Sequence, residues 1–298
     1  MSAGPERIFA SDFRVSKNNG DTITDPISNS VGTYTQGITS DTTEGLDCDR
    51  TGMVEYPFNQ YFDMHGVDTN NHYYVEIYFY ADSISNEDTL VAFGRQSSAG
   101  YFWNNDSYAH GQINLRFSND SKCQIFAMGP NGGIYLSTRN STVISNNGWN
   151  HVVVYGTSSG LNVHLNGGTA SGPGDYGTSS SSCAAATYDA LYIGAHNHSS
   201  TGSNYGVDGH IKYVRLYKGD LNQEMTQDMV TELYNNRETI DYVPTFSVPP
   251  DETAPTAAIT YSYAGPYRNG VSNVTITATF NENMADSPVP QIAISGSG

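Results

Sequence analysis

The 298 residues carry 37% hydrophobic and only 14% charged side chains, with 30 Gly and 22 Tyr in place of the missing charge; this composition suits short strands and turns and argues against a helical bundle. The formal charge of −17, from 30 acids and 13 bases with no basic cluster, sets aside nucleic acid and anionic membrane surfaces as partners. No apolar run approaches the roughly 20 residues of a membrane span, so membrane insertion is not expected.

Met1–Phe13 shows no basic region followed by an apolar one, so no secretory signal is expected. Cys48, Cys123 and Cys183 form an odd, widely spaced set, neither a disulfide framework nor a CxxC zinc site. The clearest strand is His72–Ala81, in which Tyr73, Val75, Ile77 and Phe79 alternate with Tyr74, Glu76, Tyr78 and Tyr80. The same period returns at Ile113, Leu115 and Phe117, and at Leu161, Val163 and Leu165 before the turn signal Asn166-Gly167. Apolar runs at His151–Tyr155, Ala190–Gly194 and Ile211–Tyr217 add strands, and together they predict a sandwich or barrel. One helix is expected after an Asn222 N-cap, with Met225, Met229, Val230, Leu233 and Tyr234 at helical spacing and Glu224 near its N-terminus. Residues 243–254 are Pro-rich and read as a stiff linker between a domain at 1–242 and a second β domain at 255–298. In the latter, Val274, Ile276, Ala278 and Phe280 alternate with threonines.

The run Gly148-Trp149-Asn150-His151-Val152-Val153, the strand ending Asn166-Gly167, the segment Leu191-Tyr192-Ile193-Gly194, and Gly209-His210-Ile211 through Arg215-Leu216-Tyr217 occur in that order. Residues 46–236 thereby resemble the laminin-G-like, concanavalin A-like lectin/glucanase jelly roll. The resemblance implies an all-β jelly-roll sandwich with one short helix; the family usually carries an acidic residue where this chain has Lys212. Asp251-Glu252-Thr253-Ala254-Pro255, with Val274–Met284, resembles the opening of bacterial immunoglobulin-like repeats, which serve as spacers in surface proteins. About seven strands make such a sandwich, and residues 255–298 supply fewer, so the native chain is expected to continue.

The jelly-roll resemblance includes laminarinase-type hydrolases, whose paired carboxylates lie on one strand as Glu-x-Asp-x-x-Glu. No strand here has that spacing, Glu76 stands alone among tyrosines, and neither a Gly-x-Ser-x-Gly elbow nor a P-loop occurs. A non-catalytic chain is expected. His196 and His198, with Asp208 and His210 beyond them, form the one imidazole cluster, suited to zinc or copper by spacing, but their Gly/Ser/Asn setting reads first as an exposed loop. The resemblance implies rim calcium, for which Asp106 and Asp208 are the candidate ligands, the alternative being plain Asx turns. Tyr74, Tyr78 and Tyr80 share one strand face; with Arg116, Trp103, His196 and His198 they are the candidate sugar-binding residues, unless a neighbouring segment covers that face. Trp149 reads as core packing and Trp103 as the exposed indole.

Three function classes stay open: a recognition module for glycans or a protein partner, a structural component of a phage virion (fibre or capsid decoration), and an adhesin or accessory module of a secreted polysaccharide-degrading enzyme. The lack of an export signal favours the virion surface, with other virion proteins as partners and an oligomer as an option; the alternative location is extracellular or at a cell surface.

Overall fold

The structure, a computed structural model, describes residues 4–62, 71–85, 88–94, 112–117, 121–128, 134–157, 160–171, 175–176, 186–198, 203–220, 223–247, 257–261 and 276–280. Trp103 and Asp106 lie outside these residues. The chain divides into two compact units, Met1–Pro249 and Pro250–Gly298.

The first unit opens with β1 (Glu6–Asp12), β2 (Thr22–Thr24), β3 (Val31–Thr35), β4 (Thr39–Asp41), β5 (Gly45–Asp49) and β6 (Met53–Phe62). It continues with β7 (Asn71–Ser83), β8 (Thr89–Gly94), β9 (Gln112–Phe117), β10 (Lys122–Met128), β11 (Ile134–Val143), β12 (Gly148–Thr157) and β13 (Gly160–Leu165). Then come β14 (Asp175–Tyr176), β15 (Ala186–Ile193), β16 (Ala195–His198), β17 (Ser203–Gly206), β18 (Asp208–Asp220) and helix α1 (Gln227–Asn235). Among the described residues these strands form two sheets, of seven and eleven strands. The first runs β13-β12-β7-β18-β5-β4 with β1 also on β18; the second runs β14-β11-β10-β9-β8-β15-β6-β3-β2 with the β16–β17 hairpin attached.

The core lies between the sheets. Val75, Ile77 and Phe79 of β7, Val152 and Val154 of β12, and Val214 and Leu216 of β18 meet Tyr56 and Phe58 of β6, Phe93 of β8 and Leu191 of β15, all essentially inaccessible to water. The period-two pattern thus does what it predicts, turning every second residue into an apolar interior. Burying this much apolar surface, at about 25 cal/mol per Å², is the main force holding the sheets together. Cys48 and Cys123 are buried free thiols, and burial pushes the latter up to about 12.

The opposite face of the seven-stranded sheet is covered too. Met225, Val230 and Leu233 pack on Tyr74, Val153 and Tyr217, so α1 lies across β7, β12 and β18. The helix is capped by Thr226, not by Asn222: the Thr226 hydroxyl accepts from the Met229 amide at 3.4 Å, and Asp228 is the acid in the first turn. Asn222 lies outside the described residues. The Asn166-Gly167 turn has positive φ at both residues, as a tight hairpin turn requires, and a β-carbon at Gly167 would press into Tyr234 of the helix at 2.8 Å.

Residues 236–247 follow α1 as a strap on the same face. Part of the expected linker belongs here: Thr245–Ser247 form a short 3-10 turn, the Phe246 carbonyl accepts from the Gly4 amide at 3.1 Å, and Pro244 is buried. In the second unit β19 (Ala257–Tyr261) pairs antiparallel with β20 (Ile276–Phe280).

Candidate functional site

The outward face of the seven-stranded sheet carries the tyrosine row expected from the sequence. The register aligns four cross-strand rows on it: Tyr217 with Tyr74, Arg215 with Glu76 and Val153, Tyr213 with Tyr78 and His151, and His210 with Tyr80 and Trp149. These rows differ sharply in exposure.

Tyr74 is 1% exposed beneath α1, and its hydroxyl accepts from the Met225 amide at 3.1 Å. Tyr78 is 4% exposed; its hydroxyl donates to Glu238 of the strap at 2.5 Å, and burial with that carboxylate pushes its pKa up to about 12. Neither is presented to a ligand. The covering segment weighed from the sequence is therefore real, and it is α1 plus the strap.

Glu76 is not alone. Its carboxylate, inaccessible to water, accepts from the Tyr213 hydroxyl (2.8 Å), the Tyr217 hydroxyl (2.6 Å) and Arg215 Nη1 (3.2 Å), and lies 3.0 Å from His151 Nε2. Burial alone would push this carboxyl up; Arg215 and the His151 and Tyr217 hydrogen bonds outweigh it and hold the pKa at about 2. The sequence signal for this network was two lone charges of opposite sign, Glu76 and Arg215, each flanked by tyrosines at two-residue spacing.

The last row is open. Trp149 and Tyr80 are partly exposed, correcting the expectation that Trp149 is core, and their rings meet edge-on at 5.5 Å. His210 follows at 6.2 Å from Tyr80, with Nδ1 3.9 Å from Asp47 Oδ1. A register shift between Ile211 and Tyr213 turns the intervening Lys212 onto this face, where its ammonium lies 4.3 Å from the Trp149 ring centre and donates to Glu238 at 2.9 Å. The result is a ledge of three aromatic rings, partly in water, with Asp47, Lys212 and Glu238 at its margins. Such a surface offers apolar faces to sugar C–H groups and charged groups to hydroxyls.

The remaining candidates sit elsewhere. Arg116 is on β9 of the other sheet, opposite Thr89 and Gln124, and so is not near the tyrosine row. His196 and His198 are on β16, paired with Tyr205 and Ser203 of β17. Asp208 accepts from the Ser83 hydroxyl at 2.6 Å and from Arg50 at 3.4 Å, and Arg50 also reaches Asp88 at 3.3 Å. Burial pushes the Asp88 carboxyl up to about 6, with Asp208 adding to it against Arg50 and the Ser85 amide. Among the described residues no group of three or more His, Cys, Asp or Glu side chains is placed to hold a metal ion.

Solved structures share this architecture. Domain 4 of the extracellular arabinanase AbnA from Geobacillus stearothermophilus, in complex with arabinotriose, matches 78% of this chain and 99% of its own at 17% identity and a TM-score of 0.51. Trypanosoma rangeli sialidase in complex with sialic acid matches 78% of this chain at 12% identity and a TM-score of 0.50, over 33% of its own length. At such identities the likeness is one of fold. A comparison with curated proteins returns no match. The family model described as the concanavalin A-like lectin/glucanases superfamily matches residues 59–225, more than half of the chain, and spans β7, β12 and β18. With two antiparallel sheets closed over one core, this chain belongs to that superfamily.

Proposed function

We propose that this protein is a non-catalytic carbohydrate-recognition module of a surface protein, with the Trp149–Tyr80–His210 ledge as its sugar platform. The observation that carries this reading is the ledge itself: of the four aligned rows, it alone leaves its aromatic rings partly in water. A neighbouring domain solved with arabinotriose supports a neutral oligosaccharide as the ligand class. The non-catalytic part rests on Glu76. A retaining hydrolase needs two carboxylates about 5–5.5 Å apart, one of them able to give up a proton near neutral pH. Glu76 is sealed from water and held ionised by Arg215. A surface setting, on a virion or a bacterial cell, is part of the proposal and rests on the resemblance of residues 251–284 to spacer repeats.

The test is a glycan array followed by calorimetry with arabinotriose and the best array hits, on the wild type and on Tyr80→Ala and Trp149→Ala chains. Losing one stacking ring removes about 1 kcal/mol, so each variant should bind about fivefold more weakly and the double variant about thirtyfold. Equal binding by the double variant would move the site off the ledge. An array blank for the wild type would remove the function.

A further inference from the structure

A second opening on the same sheet lies at its other side. On β1, which borders β18 on the side away from β7 and β12, a cavity of about 370 Å³ has Arg7 and Arg215 among its lining residues. That is within the volume range of small-ligand pockets. Pro26, Ile27 and Val243 form its apolar walls, and Ile27 and Val243 are partly in water.

Arg7 is the anomaly. Its side chain is almost fully buried, at 8% exposure, yet among the described residues it has no carboxylate partner. Nη1 donates to the Tyr242 carbonyl at 2.5 Å, and the buried Nε has no acceptor. The carboxylates that might serve it are committed elsewhere. Glu76 is held by Arg215, Tyr213 and Tyr217. Asp25 accepts from the Ala10 amide at 2.7 Å, from the Ser28 amide at 2.6 Å and from the Ser28 hydroxyl. Asp12, at the cavity wall, is paired with Arg14. A guanidinium taken out of water with no carboxylate in hydrogen-bonding reach is costly, and its planar donor set is suited to a carboxylate. Asp241, exposed and also lining the cavity, supplies an acceptor for hydroxyl groups.

We propose that this cavity binds a sugar acid of monosaccharide size, its carboxylate on Arg7, its apolar face on Ile27 and Val243, and its hydroxyls toward Asp241. The site is separate from the ledge: on β18 the cavity's Arg215 and the ledge's His210 belong to different cross-strand rows, with the Tyr213–Tyr78 row between them.

Saturation-transfer NMR and calorimetry on the full chain, with sodium glucuronate, glucose and acetate as probes, decide this. Glucuronate should bind at least about tenfold more tightly than either glucose or acetate. Arg7→Lys, which keeps the charge but loses the fork, should weaken glucuronate by about tenfold. Ile27→Trp, at a partly exposed wall, should abolish binding while leaving the melting temperature unchanged, so a failure of Arg7→Lys to fold does not block the test. Ledge variants should leave glucuronate binding as it is. The proposal is overturned by no glucuronate binding at about 10 mM, by glucose or acetate binding equally well, or by full binding in Ile27→Trp.

Discussion

Glu76 and Arg215 form the most deeply buried charged pair among the described residues, and each is the other's counter-charge. Removing one partner of such a pair leaves the other charged and desolvated, which costs about 3–5 kcal/mol. Glu76→Gln should therefore lose about that much in urea unfolding, although the amide keeps nearly the same shape. The pH dependence follows from the sign of the shift. A carboxyl held at about 2 when folded, against an ordinary value of 4.5, binds its proton more readily when unfolded. Its contribution, about 3 kcal/mol by linkage, is fully present above pH 4.5 and fades as pH falls toward 2. Wild-type stability should drop through that window. Glu76→Gln should be flatter there, and an equal acid response in the two chains would show that other carboxyls dominate.

At the scale of elements, the strap is what turns a half-exposed sheet face into an interior. Cationic side chains hold it: Arg14 donates to the Glu238 carbonyl at 2.6 Å, Arg7 to that of Tyr242, and Lys212 to the Glu238 carboxylate. Glu232 of α1 grips its far end, accepting from the Tyr242 hydroxyl at 2.5 Å, the Thr245 amide at 2.7 Å and the Thr245 hydroxyl at 2.9 Å. Glu232→Ala should cost about 1–2 kcal/mol. It should also speed amide exchange in residues 242–247 while leaving β7 unchanged; protection retained in the strap would show that Phe246 packing suffices. The strap also marks where the sequence stopped being legible. β7, β12, β13 and β18 were readable because alternation is local and one face is strongly apolar. The cover on the other face was not, since tyrosine serves buried and exposed positions alike and residues 236–247 have no periodicity. Trp149 misled for a related reason: an indole in an apolar strand predicts core, but its parity in β12 places it on the row of Tyr80, beyond the reach of α1. The Glu76–Arg215 pairing spans 139 residues, a contact that only the folded register reveals.

For the molecule as a whole, the division at residues 249 and 250 falls within the Pro-rich stretch 243–254, and where the first domain ends can be tested by where the chain is cut. Composition places the end of the first domain at Tyr242, because Val243 begins the proline cluster. The structure gives the next residues work to do in the first unit: Pro244 is buried, Thr245 is bound by Glu232, and Phe246 lies 6.0 Å from the Tyr217 ring beside α1. A chain ended after Pro249 keeps all of these contacts. It should melt cooperatively within about 2 °C of the corresponding transition of the full chain and bind the same oligosaccharides with equal affinity. A chain ended after Tyr242 loses the Phe246 packing and the Thr245 bonds, about 2–3 kcal/mol. For a unit of this size 1 kcal/mol moves the midpoint by about 2–4 °C, so it should melt about 5–10 °C lower. The ledge, built by β12, β7 and β18, should keep its sugar affinity below that temperature. Equal melting of the two truncated chains would place the domain end at Tyr242 and leave residues 243–247 as linker.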